Sequence, residues 1–487
     1  MSQHPAEGSS AVLDVSTFGG KMPSGAGDLS VETHGIMPVP EQNRYGTARR
    51  LFTVWFAPQM NMSGVFSGTL AITLGLGFWR GMLAMIIGTV LGCLPVAYLS
   101  TWGPRTGTAQ LPASRMAFGP LVLLPAIVQW VSSIAWDGLV GLFGGEAVAL
   151  LLGVPFWIGV VVVLALQGVV GFFGYELIHR VQAVMTVVLT ITFGVIAVKL
   201  ITGNHHIISA PTAHHGALAG AFILEVTVAL SLAISWASYA SDYSRYLPVD
   251  TPKKPVFWYT FGGLAGGYTL IQAIGIIGAQ ALGTQTAQGV RDVMGGGLLG
   301  VIALIAITLA ASCSNAMNDY SGSLAMQTAG VRIRRPITAL VVTVIAFFLI
   351  LWMHGGNIAE HFENVLLFVG YWIPAFVAIC GVDWLLRLKG RSSLDPALEI
   401  YERSDTVVAL LAFLAAFGIA VPFMDTSVIV GPVAKAMDGG DIAYFVNFLV
   451  ALLVYGGYRL AALRVRATST TAASFADAVV PSVAGDA

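Results

Sequence analysis

Long apolar segments recur along the whole chain, and they constrain its fold more than any other feature. Twelve stretches contain few charges, at residues 52–77, 80–101, 118–144, 153–174, 176–201, 217–240, 256–281, 298–325, 337–354, 365–386, 406–424 and 443–463. The hydrocarbon core of a bilayer is about 30 Å thick, and a helix of about 20 apolar residues crosses it with every backbone amide paired. The sequence therefore predicts an all-α polytopic membrane protein with about twelve transmembrane helices.

Composition supports this fold class. The 487 residues are 56% hydrophobic and only 10% charged, and the mean hydropathy is +0.79. A soluble domain carries about 25% charged residues, so an ordinary soluble fold is excluded. Cys93, Cys313 and Cys380 all fall inside apolar segments, which argues against a disulfide framework and favours packing roles.

The two ends of the chain differ from the apolar middle. Residues 1–44 are rich in Gly, Ser and Pro and lack the apolar core and cleavage site of a secretory signal, so we predict a disordered cytoplasmic tail. Residues 464–487 are predicted to be a second cytoplasmic tail. The membrane domain is expected to occupy residues 45–463.

The positions of the cations predict orientation. If both termini are cytoplasmic, 20 of the 24 lysines and arginines lie on the cytoplasmic side, and only Arg80, Lys199, Arg291 and Lys435 lie outside. Positively charged loops are retained in the cytoplasm. The sequence therefore predicts an integral, multi-pass plasma-membrane protein with both termini in the cytoplasm and an even number of spans.

The sixth apolar segment ends in an unusual polar and aromatic stretch, "SWASYASDYSRYLP" at residues 235–248. We interpret residues 241–255 as a cytoplasmic loop in which Asp242, Arg245 and the two lysines that follow are hydrated or paired with one another. Tyrosines are common at such an interface. Trp236 lies deeper and needs another explanation.

The first apolar segment contains a predicted interruption. Its sequence "WFAPQMNMSGVFSG" includes Pro58, which cannot donate a hydrogen bond, and Gly64, which weakens a helix. Residues 58–64 are therefore predicted to unwind and leave backbone groups free to bind a polar ligand; an ordinary proline kink is the alternative. The sixth segment has no proline or mid-span glycine, so its pattern alone does not predict a matching interruption.

Polar residues also lie deep in the third and eighth segments. "QWVSSIAWDGLVGLFGG" places Trp136 beside Asp137, and "LAASCSNAMNDYSGS" places Asn315 and Asn318 on one helical face with Asp319 adjacent. Such groups are costly in hydrocarbon, and they usually face a cavity or a partner helix. The alternatives are simple packing for the tryptophan and interhelical hydrogen bonding for the asparagines.

Several motifs carry a family resemblance between about residues 45 and 459. They are "WFAPQMN", "GPRTGTAQLPASRMAFG", "AWDGLVGLFGGEAV", "FGYELIHRVQ", "WASYASDYSRYLP", "SNAMNDYS" and "YWIPAFVAICGVDW". Together they resemble the cytosine-purine permease family, the nucleobase:cation symporters. The motifs are highly specific for the family and much less specific for a substrate.

The resemblance implies the leucine-transporter-type fold, with inverted five-helix repeats at about 52–201 and 217–386 and two further helices at about 406–463. It also implies a substrate site. Asn61 matches a polar substrate-binding residue of the broken first helix, and Asn318, with Asn315 as its neighbour, matches a ligand-binding asparagine. Trp136 matches the tryptophan on which the ring stacks, and Trp236 resembles the one that closes the other ring face.

Two departures from the family pattern affect the expected ligands. Val140 stands where the family usually has Gln or Asn to bond the ring. The resemblance places a possible Na⁺ site at the carbonyls of Ala57 and Met60 and at the hydroxyl of Ser312, but Cys313 stands where the sodium-coupled pattern has Thr. Sodium prefers oxygen ligands.

Proton coupling therefore remains open beside sodium coupling. The possible carriers are Asp137, Glu225 and Asp319, because intramembrane acids are typical of proton relays. No other cofactor is expected.

Two transport functions stay open. The first is import of a nucleobase of the cytosine or purine type by symport with Na⁺ or H⁺. The second is transport of a cationic heterocycle or amine by the same fold, because Asp137, a predicted substrate contact, lies beside an aromatic ring. The expected partners are a small heterocycle and the lipid bilayer, not nucleic acid.

Two function classes are remote. A channel would need a continuous polar stripe or ring, which the sequence lacks. A membrane enzyme would need a nucleophile motif, a phosphate loop or a metal-ligand spacing, and none is found.

Overall fold

A computed structural model describes residues 34–203, 207–208, 210–212, 215–283, 286–331, 335–387 and 401–479. Its helices are α1 (Arg50–Phe56), α2 (Met62–Thr73), α3 (Gly77–Ser100), α4 (Gly103–Thr106), α5 (Gln110–Ala113), α6 (Arg115–Phe118), α7 (Leu123–Leu152), α8 (Phe156–Phe173), α9 (Tyr175–Thr202), α10 (His215–Ile234), α11 (Lys253–Leu282), α12 (Thr286–Val293), α13 (Gly297–Thr328), α14 (Arg335–His354), α15 (Ile358–Gly370), α16 (Ile373–Arg387), α17 (Arg403–Ala420), α18 (Pro432–Ala436) and α19 (Ala443–Val479). Short 3-10 segments lie at Glu41–Asn43, Ala57–Gln59, Gly119–Val122, Ser235–Tyr239 and Val421–Phe423.

The helices match the apolar segments of the sequence. Nine helical segments in the described ranges are long and apolar enough to cross a membrane, and three shorter apolar helices lie at Met62–Thr73, Phe156–Gly171 and Leu340–His354. Large apolar side chains on the outer faces are exposed, among them Leu83, Ile191, Phe348 and Leu453. Exposed apolar faces around a buried polar interior are what a bilayer requires, so the predicted all-α polytopic membrane fold is confirmed.

The packing of the helices follows the leucine-transporter-type inverted repeat. The second half of the first span, α2, packs on α11, and α10 packs on α3. These two pairs occupy equivalent places in the two five-helix repeats, and α7 packs on its counterpart α13. The helices α17 and α19 form the additional pair.

Glycines permit the close approach of both equivalent pairs. A Cβ atom on Gly68 of α2 would lie 2.0 Å from the carbonyl oxygen of Gln272 on α11, and a Cβ atom on Gly88 of α3 would lie 2.2 Å from that of Val226 on α10. Any larger residue at either position would force the backbones apart. Small residues serve this purpose widely in membrane helix packing.

The first span is interrupted, as its sequence predicts. The helix α1 ends at Phe56, a 3-10 turn covers Ala57–Gln59, and α2 begins at Met62. Asn61 between them is extended, with φ −130° and ψ 167°. The interruption is confirmed but is shorter than residues 58–64, because the N-cap at Asn61 restarts the helix before Gly64.

The sixth span is also interrupted, which its pattern did not predict. The helix α10 ends at Ile234 and continues as a 3-10 segment at Ser235–Tyr239 followed by turns. The Ser235 hydroxyl donates to the carbonyl of Leu232 at 2.7 Å. Serine side chains that bond nearby carbonyls compete with the helical pattern, so an interruption can form without proline or glycine.

The stretch after this interruption is buried, and the interpretation of residues 241–255 as a hydrated loop is wrong for its acid and its arginine. Asp242 accepts a hydrogen bond from the backbone nitrogen of Gln110 at 2.8 Å. Arg245 is 0% exposed and donates to the carbonyl of Gly35 and to the hydroxyl of Tyr320. The two lysines are exposed. Burial becomes possible because the N-terminal segment covers this stretch.

The segment 34–44, placed in the N-terminal tail by the sequence, packs on the bundle. Val39 is fully buried, and its backbone nitrogen donates to the carbonyl of Gly107 at 2.8 Å. Arg44 donates to the carbonyls of Val39 and Pro104, both at 2.8 Å. At the other end α19 continues to Val479, past the predicted tail boundary. Residues 1–33 and 480–487 lie outside the described residues, so the tail prediction for them stays a prediction.

Candidate functional site

Asn61 organises the interruption of the first span. Its side-chain oxygen accepts from the backbone nitrogens of Ser63 at 2.9 Å and Gly64 at 3.3 Å, and its amide nitrogen donates to the carbonyl of Pro58 at 2.6 Å. An asparagine cap satisfies amides that the first turn of a helix leaves unpaired. Asn61 therefore holds the interrupted backbone in shape, whatever else it contacts.

The two interrupted spans meet through Trp236. Its indole nitrogen donates to Oε1 of Gln59 at 3.1 Å and to the hydroxyl of Tyr268 at 2.7 Å. The Tyr268 hydroxyl in turn donates to the carbonyl of Leu232 at 2.7 Å. The polar edge of the indole ring is fully used inside the protein, so an incoming ligand would meet the ring face.

The third and eighth spans lie against this junction. The Ser63 hydroxyl of α2 donates to the carbonyl of Leu139 on α7 at 2.9 Å, and the Asn315 amide of α13 donates to the carbonyl of Asp137 on α7 at 3.1 Å. Trp136 is 7% exposed and Asn318 is 2% exposed. The structure thus brings together, inside the bundle, the elements that carry Asn61, Trp136, Trp236, Asn315 and Asn318.

A chain of amides runs through this interior. The amide nitrogen of Asn318 donates to Oδ1 of Asn315 at 3.2 Å, and that of Asn315 donates to Oε1 of Gln167 on α8 at 2.9 Å. The Gln167 nitrogen then donates to Oδ2 of Asp137 at 3.2 Å and to Oδ2 of Asp319 at 3.3 Å. Asp137 therefore bonds to a neighbouring helix.

Val140 stands where the family usually has an amide, and its side chain is apolar. It is 4% exposed and packs in an apolar cluster with Val148, Val163 and Ala311. Val140 cannot bond a ring edge, so polar recognition at this site depends on the other amides.

Three of the four residues expected at a cation site take part in hydrogen bonds through a backbone carbonyl or a hydroxyl. The carbonyl of Ala57 accepts from the backbone nitrogen of Met60 at 3.0 Å, and the hydroxyl of Ser312 donates to the carbonyl of Thr308 at 3.0 Å. Cys313 is a buried free thiol, and its carbonyl accepts from the Gln182 amide at 2.9 Å. The oxygens of Ala57, Met60 and Ser312 suit sodium, whereas the thiol of Cys313 does not.

Aromatic and polar contacts join the N-terminal segment, α9 and the stretch after the sixth span on the side that the cation count assigns to the cytoplasm. The Tyr243 hydroxyl donates to the carbonyl of Met317 at 3.1 Å, and the rings of Tyr175 and Tyr246 lie 4.1 Å apart. The Tyr45 hydroxyl donates to Glu176 at 2.9 Å. Burial raises the pKa of the Tyr45 hydroxyl, and the neighbouring Glu176 carboxylate raises it further, so Tyr45 remains a hydrogen-bond donor at physiological pH.

A large apolar cavity has none of the predicted site residues in its lining. It has a volume of about 650 Å³ and is lined mainly by apolar side chains of α3, α10, α16 and α19, such as Leu94, Leu230, Val377 and Leu452. Its walls offer almost no group that could orient a polar ligand. The polar interior described above is the better candidate for a substrate site.

Sequence reasoning missed Gln59, Tyr268 and Gln167 as parts of this site. Gln59 directly follows Pro58 in the interruption, and Gln167 is the one amide in the apolar run "FWIGVVVVLALQGVVGFF". A lone amide inside a span is a recognisable signal. Tyr268 gives no such signal, because a tyrosine in a membrane helix is common.

Comparison with known proteins identifies the family. The profile described as "Permease for cytosine/purines, uracil, thiamine, allantoin" matches residues 38–447. YxlA of Bacillus subtilis, named as a purine-cytosine permease, is 27% identical over 88% of this chain and 95% of its own. The vitamin B6 transporter TPN1 of Saccharomyces cerevisiae is 25% identical over 72% of this chain and 64% of its own.

A solved structure shows the same fold. Mhp1, a nucleobase-cation-symport-1 family transporter solved in a closed conformation with bromovinylhydantoin bound, is 17% identical, with a TM-score of 0.69 over 86% of this chain and 93% of its own. Fold and family profile agree over most of the membrane domain. The chain belongs to the family of permeases for cytosine/purines, uracil, thiamine and allantoin, and it is a membrane transporter rather than an enzyme.

Proposed function

We propose that the protein imports a nucleobase of the cytosine or purine type by symport with a cation. The observation that carries this proposal is the amide chain from Asn318 through Asn315 to Gln167, which bonds the carbonyl of Asp137, the residue that follows Trp136 on the facing helix. Nucleobases present donors and acceptors at the ring edge and an apolar face. The names of the relatives and the ligand of the solved relative describe heterocycles of this kind.

In this proposal the two tryptophans hold the faces of the ring. Stacking of a base on an aromatic side chain contributes about 1–3 kcal/mol in comparable sites. Trp136 supplies one face and Trp236 the other, and the bonds of Trp236 to Gln59 and Tyr268 fix its orientation. Asn318 bonds the ring edge, and Asn315, whose amide is engaged by Asp137, Gln167 and Asn318, holds Asn318 in position. The site then rejects analogues that would leave the Asn318 amide unpaired.

Asn61 has a supporting part in the same site. Its side chain caps α2 and bonds Pro58, so we assign it to shaping the interrupted backbone that faces the ring. Direct contact with substrate would use the second hydrogen of its amide.

A cationic heterocycle or amine is the second candidate. An acid lies beside Trp136 in the sequence, and one relative is named as a vitamin B6 transporter. The carboxylate of Asp137 accepts from Gln167 and faces Asp319, so it is already engaged inside the bundle. We therefore favour a neutral ring.

The cation is Na⁺ or H⁺. The predicted sodium residues Ala57, Met60, Ser312 and Cys313 include a thiol in place of an oxygen ligand, whereas two acids lie buried beside the amide chain. This comparison favours protons. We also propose that both termini are cytoplasmic and that the protein lies in the plasma membrane, because this orientation places 20 of its 24 cations inside.

Uptake into proteoliposomes that contain the purified full-length protein tests this function. Labelled cytosine and adenine are offered with and without sodium, and neutral and cationic heterocycles are added as competitors. We expect saturable nucleobase uptake that neutral bases inhibit. Inhibition by cationic ligands alone would reject the nucleobase proposal in favour of the second candidate.

A further inference from the structure

Two carboxyl groups face each other between α7 and α13. Asp137 is 0% exposed and Asp319 is 5% exposed, and the two carboxyl groups lie side by side because one nitrogen, Nε2 of Gln167, donates to both, at 3.2 and 3.3 Å. Within the described ranges, neither forms an ion pair with a lysine, an arginine or a histidine. Two adjacent negative charges without a counter-ion are strongly unfavourable in a membrane interior.

Gln167 of α8 donates hydrogen bonds to both acids. Its oxygen accepts from the Asn315 amide at 2.9 Å, which turns its nitrogen toward the acids. That nitrogen donates to Oδ2 of Asp137 and to Oδ2 of Asp319. Both of its hydrogens are then used, and no donor from the described part of the chain reaches Oδ1 of either acid.

If both acids were ionised, Oδ1 of each would have no hydrogen-bond donor and the pair would carry two negative charges. A proton held between the two carboxyl groups supplies a hydrogen bond to an otherwise unsatisfied oxygen, and it lowers the charge of the pair from two to one. Buried acceptors without a donor are costly, and adjacent carboxylates in a shared site commonly hold one proton.

The neighbouring side chains do not compete with the two acids for this proton. Asn318 of α13 lies beside Asp137. Ser63 of α2 bonds the Leu139 carbonyl, and Leu349 and Met353 of α14 lie beside Gly138. Tyr239 and Asp242 are further titratable groups in this region, and the neutral Tyr239 hydroxyl accepts a hydrogen bond from the Gln129 amide. His179 on α9 faces Tyr243 and Arg50 instead, and Arg245 binds Gly35 and Tyr320.

Close packing keeps α8 in place beside the pair. A Cβ atom on Gly171, one turn after Gln167, would lie 3.1 Å from Cβ of Asp319. A glycine at this position lets α8 approach α13 closely enough for Gln167 to bridge the two acids.

We propose that Asp137 and Asp319, bridged by Gln167, form the proton-binding site that couples substrate transport to the proton gradient. The proposal rests on the symport function proposed above and names its ion and site. Each acid directly follows a proposed ring-binding residue, Trp136 or Asn318. When the pair loses its proton, repulsion between the carboxylates separates α7 from α13 and removes these two residues from their common position.

Sodium-free proteoliposomes with an inward proton gradient test the coupling. For one proton per substrate, a gradient of about two pH units supports about a hundredfold accumulation. We expect the wild type to accumulate labelled cytosine and to carry protons inward, as recorded by an internal pH dye. In Asp319→Asn and Asp137→Asn, the new amide donates to the remaining carboxylate and replaces the shared proton. Each variant should lose accumulation and proton influx, and Asp319→Asn, which changes the acid not predicted to contact substrate, should retain cytosine exchange at equal pH.

Two controls make the result specific. Asp292→Asn changes an exposed acid of α12 and should accumulate cytosine like the wild type. Glu225→Gln changes another buried acid, on α10, and should also remain coupled. The proposal is overturned if both pair variants still accumulate cytosine with wild-type proton influx, if only Glu225→Gln loses coupling, or if wild-type accumulation requires sodium. A wild type that exchanges no nucleobase at all would instead contradict the proposed function.

Discussion

The indole nitrogen of Trp236 donates a hydrogen bond to the side-chain oxygen of Gln59, and this contact joins the two interrupted spans of the transporter. Gln59 belongs to the 3-10 turn of the first span, and Trp236 belongs to the 3-10 segment of the sixth. The Gln59 amide nitrogen also donates to the carbonyl of Trp55 at 3.1 Å. Gln59 therefore bonds both the backbone of the interrupted first span and the indole ring of the interrupted sixth span.

Gln59→Leu should weaken nucleobase binding. The substitution removes one of the two acceptors of the Trp236 indole nitrogen, so that only the Tyr268 hydroxyl remains. A neutral hydrogen bond contributes about 1 kcal/mol, which corresponds to about a fivefold change in affinity. The exchange KM for cytosine measures this effect. Trp236→Phe, which removes the indole donor itself, should raise KM at least as much. Unchanged KM in both variants would show that this contact does not shape the site.

Asn318→Ala should sharply reduce uptake while the protein still reaches the membrane. The substitution removes a ring-edge donor and breaks the amide chain to Asn315. Labelled cytosine uptake, normalised to surface expression, is the measurement. Asn364→Ala is the matched control, because that amide bonds only Ser427 among the described residues. Wild-type affinity in Asn318→Ala would remove Asn318 from the site.

Asn61→Ser and Asn61→Ala separate the capping function of this residue from any substrate contact. Serine keeps a capping oxygen, whereas alanine loses it at a cost of about 1 kcal/mol in stability. We expect a lower melting temperature in detergent for Asn61→Ala and a nearly unchanged one for Asn61→Ser. Reduced cytosine affinity in a stable Asn61→Ser would indicate direct contact with substrate. Equal melting temperatures for all three proteins would refute the capping assignment.

Ser312→Ala should leave sodium-free uptake unchanged. The hydroxyl donates to Thr308 on its own helix, and a proton-coupled protein needs no sodium ligand here. Cytosine uptake rates across a sodium series provide the measurement. A wild type that sodium stimulates and a variant that it does not would instead place Na⁺ at this residue.

Gly68→Ala should destabilise the contact between the first and seventh spans. The added methyl group meets the carbonyl oxygen of Gln272, and overpacking of this kind costs about 1–3 kcal/mol. The melting temperature of the purified protein should fall. Gly194→Ala is the control, since a Cβ atom there meets nothing within 4 Å among the described residues. Equal melting temperatures for the two variants would contradict the close approach of α2 and α11.

Local sequence features predicted part of the candidate site. Pro58 cannot continue a helix, so the interruption of the first span was visible in the sequence. The spacing of Asn315 and Asn318 placed both amides on one helical face. The sixth-span interruption escaped prediction because it depends on serine hydroxyls that bond carbonyls, and such serines also occur in regular helices.

The sequence by itself determined the membrane class, the number of spans and the first interruption, because each follows from the local cost of placing backbone and side chains in hydrocarbon. Only the tertiary structure decided that Arg245 is buried and that Asp137, Gln167 and Asp319 meet. These three residues lie on separate helices, far apart in the chain. Their contact depends on how close α7, α8 and α13 can pack, and no periodicity within a single helix encodes that distance.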